Sequence, residues 1–117
     1  MIAVNRSPTF KCFPIYALSP GIDDQLQQVH DLYVGDLLSH VLKQAKPHQV
    51  WLTVQSHPTI VAVASLKNLR AIIVVDGVEV PAETIEAASQ NGVHLFSSPL
   101  SAVELIKLFT LRDSQRY

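Results

Sequence analysis

At 117 residues, with 48% hydrophobic and 16% charged, the chain has the size of one domain and the apolar material for one core. That composition excludes disorder, and a net charge of −1 without a basic block removes the electrostatic basis for nucleic-acid binding. A single cysteine, Cys12, excludes both an intramolecular disulfide and a Cys-based zinc site.

Residues 1–11 show no clear period and read as a loose arm. Residues 12–19, CFPIYALS, read as a short strand, with Pro14 assigning it to a sheet edge or a strand start. Pro20-Gly21 marks a turn within 19–24, and the second half of 25–36 reads as a strand. Asp36 then stands as the cap of a helix with apolar Leu37, Leu38, Val41, Leu42 and Ala45, stopped by Pro47. A strand follows at 49–54, then a helix over 57–68 with Pro58 at its first position. Ile60 to Ala64 is almost wholly apolar, so that helix is buried on more than one side, under the sheet or against a partner.

The run RAIIVV (70–75) reads as a central parallel strand, followed by a turn at Asp76-Gly77. A helix over 81–92 starts at Pro81 and stops at Asn91-Gly92. A strand at 93–97 and a helix at 98–109 complete the pattern, and Ser101-x-x-Glu104 offers a capping box. The domain is expected over 12–111, with a polar tail at 112–117. The order β-β-α-β-α-β-α-β-α predicts a mostly parallel sheet of about five strands with helices on both faces.

The stretches YVGDLLSHVLKQAKPHQVWLTVQSHPTIVAVASL and RAIIVVDGVEVPAETIEAASQNGVHLFSSPLSAVELI carry a family resemblance. Gly35-Asp36-Leu37-Leu38-Ser39, the Trp51 and Thr53 strand ending in Gln55, the IVAVA helix and the SPLSAVEL helix start resemble the small stand-alone members of the DRTGG domain family. The resemblance spans about residues 33–110. It implies a three-layer α/β/α sandwich similar to the amino-terminal domain of HPr kinase/phosphorylase. It also implies a regulatory or ligand-sensing module, often dimeric, without established catalysis. Relatives often carry Thr-Gly-Gly where this chain has Val75-Asp76-Gly77, and the acid there opposes an anion-binding turn. The family's amino-terminal helix has no counterpart in the pattern of residues 1–11.

Ligands of parallel α/β sheets bind beyond the carboxyl ends of the strands. The loops there gather Gly35, Asp36, Gln55, Ser56, His57, Thr59, Asp76, Gly77, Ser97 and Ser98 as candidate ligand-binding residues. Helix capping is the competing role for Asp36, Ser56 and Ser98. His57 is the chief candidate for chemistry, since an imidazole donates and accepts near neutral pH; a surface or capping role competes. His30, His40, His48, His57 and His94 lack metal-ligand spacing, and His94 opens its strand at the opposite end from His57. Trp51 reads as core or dimer interface.

No Gly-x-Gly-x-x-Gly, P-loop or nucleophile elbow is present, so no cofactor and no catalytic set is expected. The start carries no signal-peptide pattern, and Ile60–Leu66 is far shorter than the ~20 residues that span a bilayer. The expectation is a cytoplasmic, homodimeric regulatory domain that binds a small anionic metabolite or nucleotide, or a protein partner, without nucleic acid or membrane. Two alternatives remain. One is a phosphorylation-controlled interaction module of the anti-sigma-antagonist type, with Ser56 or Thr59 as acceptor. The other is a small enzyme pairing His57 with Asp36 or Asp76.

Overall fold

The computed structural model describes residues 14–19 and 31–114. The expected arm at 1–11, Cys12, His30, residues 20–24 of the turn and the chain's end at 115–117 lie outside the described residues.

Short, mostly apolar runs build a five-stranded sheet in the order β1-β5-β4-β3-β2. The strands are β1 (Tyr16–Ala17), β2 (Leu32–Val34), β3 (Val50–Thr53), β4 (Ala71–Val74) and β5 (Leu95–Ser97). β2, β3, β4 and β5 pair in parallel, whereas β1 pairs antiparallel to β5 at an edge. Pro14 thus precedes an edge strand, where no ladder donor is demanded of it. Four helices follow the strands as expected: α1 (Leu38–Gln44), α2 (Thr59–Lys67), α3 (Ala82–Asn91) and α4 (Ala102–Ser114).

The fold is α/β, with helices on both sheet faces as in a three-layer α/β/α sandwich. Strand parity divides the core. Trp51, Ile72, Val74 and Leu95 pack against Val41 of α1, Ile60 and Val63 of α2, and Ile85 and Ala88 of α3. Val50, Leu52, Ala71, Ile73 and Phe96 point the other way, toward Leu105 and Phe109 of α4. α1, α2 and α3 share a face because each links a strand to its immediate neighbour in the same direction, and such crossovers keep one hand. Each fully buried Ile, Leu or Val contributes ~1.5–3 kcal/mol relative to exposure, so this double-sided sheet is the main stabilising feature.

Several boundaries differ from the sequence pattern for local reasons. Pro81 is extended (ψ 149°) and stands before α3, so Ala82 is the first helical residue. Ser98-Pro99-Leu100 form a loop, and α4 begins only at Ala102. The capping box decides that start: the Ser101 N–H donates to Glu104 Oε1 (3.0 Å), and the Glu104 N–H donates to Ser101 Oγ (3.1 Å). α4 also continues through 110–114, past the expected end at 109 and into the expected tail. α2 stops at Asn68, left-handed at φ 53°, and α3 stops at Gly92 (φ 66°). Trp51 is core: its ring is fully buried, and Nε1–H donates to the Gly35 carbonyl at 2.8 Å. Among the described residues, no helix is long and apolar enough to cross a membrane.

Candidate functional site

The carboxyl ends of β2, β3, β4 and β5 lie along one rim, because these strands are parallel and in register. The candidate residues fall on this rim in two clusters.

The first cluster joins β2 to β3. Asp36 does not cap α1; the position before that helix is Leu37, with no side-chain cap. Asp36 Oδ1 instead accepts from Thr53 Oγ1 (2.8 Å) and from the Val54 N–H (2.9 Å). Gln55 Nε2 donates to the Asp36 carbonyl (2.8 Å), and the Gln55 N–H donates to Thr53 Oγ1 (3.1 Å). Asp36, Thr53 and Gln55 therefore form a latch between neighbouring strand ends. The reason is register: Val34 pairs with Leu52, so residues two further along each chain meet above the sheet. Thr53 belongs to this site although the sequence reading passed it over. Its signal was a hydroxyl at the last position of a wholly buried strand.

Ser56 is not the cap of α2 either. Its carbonyl accepts from Thr84 Oγ1 at 2.6 Å. Thr84 is fully buried in the first turn of α3, so α3 fixes the β3–α2 loop. His57 takes the capping role: Nδ1 accepts from the Thr59 N–H at 3.2 Å and lies 3.1 Å from Thr59 Oγ1. A backbone N–H can only donate, so Nδ1 is the acceptor in this contact. His57 and Thr59 are both exposed. Pro58 is helical (φ −53°, ψ −22°) and begins the turn that becomes α2, as its fixed ring predicts.

The second cluster joins β4 to β5. Asp76 (φ 61°) and Gly77 (φ 66°) are both left-handed, and the Val78 N–H closes the turn onto the Val75 carbonyl at 3.2 Å. The Asp76 N–H donates to the Leu100 carbonyl (2.8 Å), and the Gly77 N–H donates to the Ser98 carbonyl (2.9 Å). Both amides are thus spent on the neighbouring loop rather than turned toward a ligand. Ser98 is neither a cap of α4 nor an accessible rim residue. It is 2% exposed, and its Oγ accepts from the Leu100 N–H at 3.1 Å. Ser97 is half-buried and lies between Val74 of β4 and Tyr16 of β1.

The rim also carries apolar side chains beside the latch. Val34 is 49% exposed, Leu37 is 68% and Val54 is 37%, and they flank Asp36 in sequence or through its bond to Val54. The lysines Lys43 and Lys67 stand in the last turns of α1 and α2, at the far end from the rim. His94 lies just before β5, at that same far end and opposite His57. Among the described residues, no three His, Cys, Asp or Glu side chains come together to hold a metal ion.

Comparison with protein-family models, with curated proteins and with solved structures finds no match for this chain.

Proposed function

We propose that this chain is a non-catalytic regulatory domain of the DRTGG kind, acting as a dimer, with a protein partner docking on its strand-end rim. One observation carries the reading. The polar rim groups are engaged with one another through Asp36, Thr53 and Gln55, while Val34, Leu37 and Val54 stand exposed around them. Exposed apolar side chains beside polar groups that already satisfy one another suit a protein surface. A small anionic ligand is less well served. The rim presents the carboxylates of Asp36 and Asp76, and the amides of Asp76 and Gly77 already donate to carbonyls. Among the described residues, His57 is oriented by Thr59 alone, which supplies neither an acid nor a base partner for catalysis.

A thermal-shift panel of nucleotides, acyl phosphates and phospho-sugars tests the choice between ligands. A small ligand at 100 times its Kd adds about 2.7 kcal/mol. The protein-docking reading expects a flat panel, together with capture of a partner that Leu37→Asp abolishes. Stabilisation by a panel member that is lost in His57→Ala or Gln55→Ala would make the rim a small-ligand site instead.

A second reading, phosphorylation at the β3–α2 junction, has its own support. Ser56 is half-buried, its carbonyl is held by Thr84, and its hydroxyl has no hydrogen-bond partner among the described residues. Mass spectrometry after incubation with a cognate kinase decides it: absence of phosphate from Ser56 and Thr59 sinks the idea.

A further inference from the structure

The outer surface of the three-helix layer is divided by charge. α2 packs between α1 and α3. At 100° per residue, the side of α1 opposite its buried Val41 and Ala45 carries Lys43. The side of α3 opposite its buried Thr84, Ile85 and Ala88 carries Glu83 and Glu86. Between them, the outward residues of α2 are Ala62, Ser65 and Leu66, and none is charged. α1 and α3 start from the same strand-end rim. Lys43 lies five residues past Leu38, and Glu86 lies four past Ala82, so each charge stands between one and two turns from the rim end of its helix. A groove of about 340 Å³ runs along the α3 side of α2, lined by Val61, Ala62 and Ser65 of α2 and by Ala87 and Asn91 of α3. Leu66 stands about 140° round α2 from Val61, on the groove's far lip, and is 77% exposed.

We propose that a second copy of this chain packs on this layer about a two-fold axis parallel to the helices and passing along α2. The proposal rests on the dimeric part of the reading above and assigns its surface. Such a rotation keeps helix direction and exchanges left for right, so α2 faces α2 and each α1 faces the other copy's α3. Lys43 of one copy then meets Glu86 of the other, twice over. Leu66, on the α1 side of the crest, comes over the other copy's groove on its α3 side. Charge complementarity at both flanks thus specifies a partner with the same charge pattern, which is the chain itself. Both strand-end rims point the same way in this dimer, so a bivalent partner gains avidity.

Sedimentation velocity on the full chain and its variants tests this surface. The wild type is expected to be a dimer, and Leu66→Arg, at an exposed site, a folded monomer by circular dichroism. Lys43→Glu and Glu86→Lys each place like charges in both pairs and are expected to weaken self-association by about tenfold. Mixed together, those two variants restore both pairs, so a heterodimer should form with about wild-type affinity. Ala62→Cys in a Cys12→Ser background should oxidise to a disulfide-linked dimer, because Ala62 lies near the axis. A wild-type chain that stays monomeric at all concentrations overturns the proposal and the dimeric part of the functional reading together. A dimer indifferent to Leu66→Arg, with no rescue in the charge-reversed mixture, overturns this interface alone.

Discussion

Thr84 Oγ1 donates to the Ser56 carbonyl at 2.6 Å, and this bond is how α3 holds the loop between β3 and α2. The two residues are 28 apart in sequence, and the hydroxyl is fully buried. Thr84→Val keeps the shape but leaves that carbonyl without its donor. A loss of about 1–2 kcal/mol is expected in urea denaturation. Thr84→Ser, which keeps the donor, should cost less, and equal losses in the two variants would show that the bond is not the cause.

Asp36 ties two strand ends through Thr53 Oγ1 and the Val54 N–H. Asp36→Ala removes Oδ1, the one oxygen that accepts both bonds, and is expected to cost about 1–2 kcal/mol. Asp36→Asn retains an oxygen in place and should cost less than half as much. If Asn and Ala were equally destabilising, the negative charge rather than the latch would be responsible.

Glu104 makes the α4 cap pH-dependent. Hydrogen bonds from the Ser101 backbone N–H first, and from the Ser101 hydroxyl second, hold its carboxyl below the usual value. A lowered folded value means the ionised form stabilises the native state. That contribution is fully present above the unfolded value of about 4.3 and is lost as pH falls through the lower folded value. Glu104→Gln should therefore melt below wild type at pH 7, and the gap should narrow under acid. A gap unchanged down to about pH 2 would contradict the cap's dependence on charge.

Asp76 and Gly77 share a left-handed turn, but only one is the residue that conformation favours. Asp76→Gly is expected to be neutral or to stabilise by up to about 1 kcal/mol, measured by chemical denaturation. Gly77→Ala should destabilise by about 1 kcal/mol through backbone strain. Space is not the issue there, since a Cβ at Gly77 would meet only the Pro99 Cα at 3.9 Å.

Much of the architecture was legible in the chain because it depends on local periodicity. The order of strands and helices, the parallel sheet and the capping box of α4 each follow from residues a few positions apart. The left-handed stop at Gly92 was legible for the same reason. The caps were misread where a polar residue before a helix had a competing partner from another element. Asp36 looks like a cap until register brings Thr53 beside it, and Ser56 until α3 brings Thr84 to its carbonyl.

What the sequence by itself determined is therefore which segments become strands and helices and which end of the sheet gathers polar loops, because period and turn chemistry are local. Only the tertiary structure decided what those polar groups do. Their hydrogen bonds span 17 residues from Asp36 to Thr53 and 28 from Ser56 to Thr84. Such partners meet only after strand register and helix packing are set, and no local pattern encodes that meeting.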